Sequence, residues 1–220
     1  MQDPVENPGE ESGLFLPGWD RYNKPSKIVT LGHYYPQDEV AAAKLLVRET
    51  RASYQASADA DPVAVQKNLG WTQLISALNK ERQWPLKRFV ALLDPMLAPD
   101  IALAVVPTHI AHQAFWPTRA LAQRLVTQAR VDATSCLVRH ATIRRITFGG
   151  PSTKALHRQT IHVENAPLVA GRRVLLLDDV AKSGASLMAC REMLLEAGAA
   201  MVQALALGRV ILTYREPGER

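Results

Sequence analysis

Residues 173–186, reading R-V-L-L-L-D-D-V-A-K-S-G-A-S, combine residue types and a spacing that could do chemistry. An apolar run, residues 174–177, delivers two adjacent carboxylates, Asp178 and Asp179, to the carboxyl end of a strand. In open α/β sheets that is the edge where ligands sit. Val180 and Ala181 lead into a short polar loop, Lys182-Ser183-Gly184-Ala185-Ser186, which opens a helix. Backbone N–H groups and the positive end of the helix dipole make such a loop an anion site. Gly184 lets the backbone approach a phosphate closely, and Ser183 and Ser186 add hydroxyl donors. The carboxylates repel a phosphate but accept hydrogen bonds from vicinal hydroxyls beside it. A diol next to a phosphate describes a ribose 5-phosphate.

The flanking pattern supplies elements able to hold that stretch in place. Residues 101–106 form a short continuous apolar run, as expected of a buried parallel strand, and residues 201–207 form another. Residues 117–130 and 186–197 carry helical spacing, the second closed by Gly198. Strand and helix thus alternate over the second half of the chain, which predicts an α/β fold with a mainly parallel central sheet and helices on both faces. Upstream, residues 63–79 and 86–93 are expected to be helices, the latter opened by Trp84-Pro85. Residues 27–35 (KIVTLGHYY) are expected to be a strand and residues 37–51 a helix. The Pro-, Gly- and acid-rich first 26 residues suggest an arm or strap.

Charge is unevenly spread. The chain carries 26 Lys plus Arg against 21 Asp plus Glu, a formal +5. Residues 139–173 hold seven of those cations (Arg139, Arg144, Arg145, Lys154, Arg158, Arg172, Arg173) and one acid, Glu164, which points to an anionic partner. A solvated surface loop and a nucleic-acid groove are the competing readings, although only Phe148 is available there for base stacking. With Gly149-Gly150 as a hinge, Arg139, Arg144, Arg145, Lys154 and Arg158 are expected to form a flap that closes on phosphate.

Several function classes are disfavoured. No apolar run approaches the roughly 20 residues needed to span a bilayer, so no membrane partner is expected. The acidic N-terminus lacks a secretory apolar region, and Cys136 and Cys190 give neither a disulfide framework nor a zinc cluster, so a cytoplasmic location is expected. The order Lys182-Ser183-Gly184 fails the pattern of a nucleoside-triphosphate P-loop. An acidic pair late in the chain, directly followed by an anion loop, also departs from a receiver domain.

The same 14 residues resemble the signature of type I phosphoribosyltransferases: an apolar strand, two acidic residues, a hydrophobic pair and a Thr-Thr-Gly-x-Thr-like loop. Within that superfamily the likeness is greatest to the ComF-like, amidophosphoribosyltransferase-related branch. Thr72 to Leu93 (TQLISALNKERQWPLKRFVALL) resembles its "LI-x-x-L-K" helix pair. Residues 104–109 (AVVPTH) resemble the strand and loop that hold pyrophosphate, and the match continues through "EAGA" at residues 196–199. The likeness covers roughly residues 70–213, with residues 1–69 as a divergent N-terminal arm and cap.

What the resemblance implies is specific. The substrate would be phosphoribosyl pyrophosphate (PRPP) or a related nucleotide, with Mg2+ bound mainly through the pyrophosphate. Asp178 and Asp179 would take the catalytic position on the ribose hydroxyls. Residues 180–186 would hold the 5-phosphate, and Pro107, Thr108 and His109 the pyrophosphate. Two departures bear on catalysis. Lys182 stands where these enzymes carry Thr or an acid, and a protonated lysine is no general base. The segment His112-Gln113-Ala114-Phe115-Trp116-Pro117-Thr118-Arg119 replaces a more basic "R-G-F-N-Q" stretch. The expectation is therefore phosphoribosyl transfer to an unidentified nucleophile. The alternative is a non-catalytic ComF-like protein that binds a nucleotide or nucleic acid in DNA uptake, processing or regulation; a homodimer is compatible with either.

Overall fold

The structure, a computed structural model, describes residues 28–36, 40, 44, 62–127, 129–144 and 153–211. In chain order the elements are β1 Ile28–Thr30, β2 His33–Tyr34, α1 Pro62–Asn79, α2 Gln83–Leu93, β3 Ile101–Val105, α3 Pro117–Leu125 and β4 Val131–Asp132. They continue with β5 Leu137–Arg139, α4 Lys154–Thr160, β6 Ile161–Val163, β7 Arg173–Ala181, α5 Ala185–Glu196 and β8 Met201–Val210. The main sheet runs β1-β8-β7-β3-β4, with β2 also on β8, and every pair is parallel. β5 and β6 form a separate antiparallel pair.

Strand alternation divides the core in two. Ile101, Leu103, Val105, Leu175, Leu177, Leu205 and Leu207 face one side, where Ile75, Leu78, Phe89, Leu93, Leu121 and Leu125 of α1, α2 and α3 cover them. Ala102, Ala104, Val174, Leu176, Ala204 and Ala206 face the other, against Leu187, Cys190 and Leu194 of α5 and Leu137 and Ile161 of the small sheet. The second face is paved largely with alanine, which leaves room for close packing of α5. Each fully buried large side chain contributes ~1.5–3 kcal/mol, so both layers are substantial. This is the expected α/β architecture, with β7 central.

The boundaries differ from expectation in ways that have causes. β7 runs four residues past Leu177, because Asp178, Val180 and Ala181 stay paired with Ala206, Gly208 and Arg209. α2 begins at Gln83, so Pro85 sits inside the first turn, where an absent N–H forfeits no helical bond. α3 stops at Leu125 rather than residue 130. There Arg130 turns back, its Nη1 donating to the Leu125 carbonyl at 3.0 Å and its Nε to the Ala98 carbonyl at 3.0 Å.

The stretch 27–35 is two strands, not one. At the break, Trp71 requires glycine, since its ring atoms would lie 2.6–2.7 Å from any Cβ at Gly32. Trp71 Nε1 in turn donates to the Leu207 carbonyl at 2.6 Å. β1 belongs to the main sheet, and the division anticipated after residue 69 falls inside α1. Of the anticipated helix 37–51, only the helical positions Val40 and Lys44 are described. The arm 1–26, Arg145, Phe148 and the hinge Gly149-Gly150 lie outside the described residues.

Candidate active site

β3 and β7 pair as far as Val105 and Leu177, and the Val106 N–H donates to the Leu177 carbonyl at 2.9 Å. There β3 leaves the sheet and β7 continues beside β8 alone. Asp178 and Asp179 stand at this divergence, on the carboxyl edge of parallel strands, where open α/β sheets form a ligand crevice. As consecutive strand residues they project to opposite faces. Asp178 Oδ1 accepts from the Asp179 N–H at 2.9 Å and its Oδ2 from Ser186 Oγ at 3.3 Å. Asp179 Oδ1 accepts from the Val180 N–H at 2.7 Å and its Oδ2 from Asn79 Nδ2 at 2.8 Å. Each oxygen accepts one of these bonds and keeps a lone pair for another donor.

Burial pushes the Asp178 carboxyl well above the usual carboxylate range, and the neighbouring Asp179 charge adds to it. The bonds from the Asp179 N–H and the Ser186 hydroxyl pull the other way. Two adjacent carboxylates in a crevice favour a partner that brings donors or positive charge. Among the described residues no three His, Cys, Asp or Glu side chains gather to hold a metal ion.

Beyond Ala181 the chain turns through Lys182 and Ser183, both exposed, into Gly184, the N-cap of α5. Gly184 has φ +77°, and a Cβ there would lie 2.3 Å from Ile28 Cδ1 of β1. The left-handed backbone favours glycine here, and the Ile28 side chain packed over it would have to move to admit any Cβ. Ser183 Oγ accepts from the Ala185 N–H at 3.3 Å, which fixes the turn. Through Ser186, the first turn of α5 is tied to Asp178. The acidic pair and the turn that opens α5 are one connected unit.

The loop after β3 is tied just as firmly to the residues after β5. The Ile110 N–H donates to Thr108 Oγ1 at 3.3 Å, and that of Ala111 to Thr142 Oγ1 at 2.9 Å. The His112 N–H donates to the Arg139 carbonyl at 2.8 Å, and the Ile143 N–H to the His109 carbonyl at 2.9 Å. Thr108 Oγ1 donates to Gln113 Oε1 at 2.5 Å. Pro107 is buried, while Thr108 and His109 are half-buried. Three successive amides of this loop are engaged within the protein.

The five cations anticipated on a flap separate into different environments. Arg139 is 2% exposed, and its guanidinium is bonded to the Thr108 carbonyl, Thr160 Oγ1 and His157. Lys154 pairs with Glu192 at 2.9 Å, and Arg158 with Glu196 at 2.9 Å and Glu192 at 3.6 Å, fastening α4 to α5. Arg144 is exposed, and Arg145 lies outside the described residues. The charge run counted these residues alike; the fold uses three of them in internal contacts.

Asn79 and the loop partner Thr142 carry no mark in the sequence that points to the site. Asn79 is an amide at the end of a helix a hundred positions from its carboxylate, and no spacing rule connects the two. The one signal is that Asn79 lies inside the stretch resembling the family's helix pair.

The loop after β3, the acidic pair and the glycine-capped helix occur in one uninterrupted stretch of chain, and a comparison with protein families finds the same stretch. Residues 108–214 match the phosphoribosyl transferase domain. No curated protein matches the chain. Among solved structures, an allosteric regulatory enzyme of purine biosynthesis aligns at 18% identity and TM-score 0.32, covering 63% of this chain and 26% of that one. A purine phosphoribosyltransferase from Pyrococcus horikoshii Ot3 aligns at 15% identity and TM-score 0.30, covering 68% of this chain and 92% of that one. The chain therefore spans about a quarter of the length of the first. No helix among the described residues is long and apolar enough to cross a membrane.

Proposed function

We propose that the protein binds PRPP at the carboxyl edge of β7 and transfers its phosphoribosyl group to a nucleophile, releasing pyrophosphate. One observation carries this reading: Asp178 and the anion loop are joined through Ser186 at a sheet edge opened by the departure of β3. That geometry suits a ribose hydroxyl pair and a 5-phosphate at once. The domain match over residues 108–214 supports it.

In the reaction a lone pair of the nucleophile forms a bond to the anomeric carbon. The bond from that carbon to the pyrophosphate oxygen breaks, and its electrons leave with pyrophosphate. Positive charge builds on the ribose as the bond breaks, so positioning and electrostatic stabilisation do most of the work. Asp178 and Asp179 hold the ribose hydroxyls, with Asn79 steering Asp179. The turn at residues 180–186 receives the 5-phosphate at the positive end of α5. Magnesium would arrive with the pyrophosphate of the substrate and would supply neutralising charge to that departing group. Pro107, Thr108 and His109 lie beside that group, and Arg144 is the described exposed cation nearest them in the chain after β5.

A second reading is a ComF-like protein that binds a nucleotide or nucleic acid without turning it over. Lys182, exposed at the turn before α5 where the resembled family carries Thr or an acid, favours it, because a protonated lysine is no general base. Pyrophosphate release from PRPP, measured against a panel of bases and amines, separates the two. Turnover with any member supports transfer. A saturable PRPP-induced thermal shift with no turnover selects the second reading.

A further inference from the structure

We infer that Arg139 is a positioning residue for this site: its buried guanidinium fixes the loop at residues 108–112 against the small sheet, so that the loop faces the leaving group of the bound substrate. The inference rests on the proposed function for the identity of that substrate.

Burying an arginine is unfavourable unless its donors are used, and here each branch of the fork has a partner. Nε donates to the Thr108 carbonyl, Nη1 to Thr160 Oγ1 at 2.5 Å, and Nη2 lies 3.2 Å from His157 Nδ1. The main chain of the same residue contributes again, its carbonyl accepting from the His112 N–H at 2.8 Å. Arg139 thus grips the loop at both ends, Thr108 and His112, from one position on β5. Thr142 and Ile143 complete the attachment through the Ala111 N–H and the His109 carbonyl.

The partners of the guanidinium are neutral. His157 is held uncharged, its pKa lowered to about 4 by burial and by the Arg139 charge itself. Among the described residues Arg139 forms no ion pair. The acidic and thiol groups that its charge reaches are Asp178 and Cys190, while burial pulls its own pKa down. A lysine could keep the charge but not the three-way fork, since its donors radiate from a single atom. Arg139 therefore acts on the pyrophosphate side of the site through Thr108 and His112, while the diol and 5-phosphate contacts rest on residues 178–186.

That division of labour gives the test. Binding of ribose 5-phosphate and of PRPP with magnesium is measured calorimetrically on the full chain, for wild type, Arg139→Lys and Thr160→Val. Hydrogen exchange is followed at the Ala111 and His112 amides. Arg139→Lys is expected to weaken PRPP at least tenfold, to leave ribose 5-phosphate within twofold, and to speed exchange at both amides. Thr160→Val, which removes one acceptor of the fork, is expected to do the same to a smaller degree, and it carries the test if Arg139→Lys does not fold. Equal losses for both ligands, or wild-type PRPP affinity with unchanged exchange, would overturn the inference. If the wild-type chain binds neither ligand, the proposed function fails instead, and the exchange measurement alone decides whether Arg139 fixes the loop.

Discussion

The side-chain amide of Asn79, at the end of α1, donates to Asp179 Oδ2 at 2.8 Å. This bond makes the helical layer before β3 a contributor to the site, because it fixes the carboxylate rotamer that a ribose hydroxyl would meet. Asn79→Ala should weaken PRPP about fivefold, the equivalent of ~1 kcal/mol for one hydrogen bond. Asn79 is exposed, so the melting temperature should change little. Calorimetric titration beside a thermal melt checks both.

Gly184→Ala should destabilise the fold by ~1–3 kcal/mol, because the added Cβ meets Ile28 Cδ1 and the backbone is left-handed. Pairing it with Ile28→Ala removes the clash but not the backbone strain. The double variant should therefore lose less than the sum of the two separate changes, yet stay below Ile28→Ala alone. Urea denaturation of the four proteins measures the coupling.

Much of this arrangement is legible in the amino-acid sequence. The continuous apolar run at residues 101–106 reads as a buried strand because both its faces are covered, and all but its last residue form one, Ile101–Val105. The motif at residues 173–186 names its own edge of the sheet. The end of β7 is not legible: Asp178 and Asp179 look like a strand terminus, and only pairing with Gly208 and Arg209 keeps the chain extended. Asn79 reaches Asp179 through the packing of α1, which no local pattern records. The basic run misleads because composition counts charges without showing that Arg139 turns inward or that Glu192 and Glu196 lie opposite Lys154 and Arg158.

Asp178→Asn should abolish ligand binding yet raise stability at neutral and higher pH. Burial lifts the folded pKa of Asp178 above its ordinary value of 3.8, so the folded state holds that proton more tightly than the unfolded chain. Its contribution is fully present below the ordinary value and is lost as pH rises through the folded one. Thermal melts should show the variant gaining a few degrees over wild type at pH 8 and little at pH 3.5. An equal gain at both would contradict this sign.

His157 works in the opposite sense. Its pKa of about 4, against an ordinary 6.5, means the unfolded chain takes up the proton first as pH falls. Stability should drop between about pH 6.5 and 4 by up to ~3 kcal/mol from this residue. His157→Gln keeps an acceptor for Arg139 and should flatten that part of the stability curve. Denaturant titrations at pH 7, 5.5 and 4 measure the difference.

The proposed function requires that Asp178 and Asp179, with the turn that follows them, hold a phosphoribosyl group. Titration of PRPP with magnesium into the full chain tests it most directly, with the Asp178→Asn, Asp179→Asn double variant alongside. Saturable one-site binding to the wild type is expected, with a loss of at least thirtyfold in a double variant that stays folded. A wild-type chain that does not bind PRPP, or a double variant that binds it equally well, would contradict it.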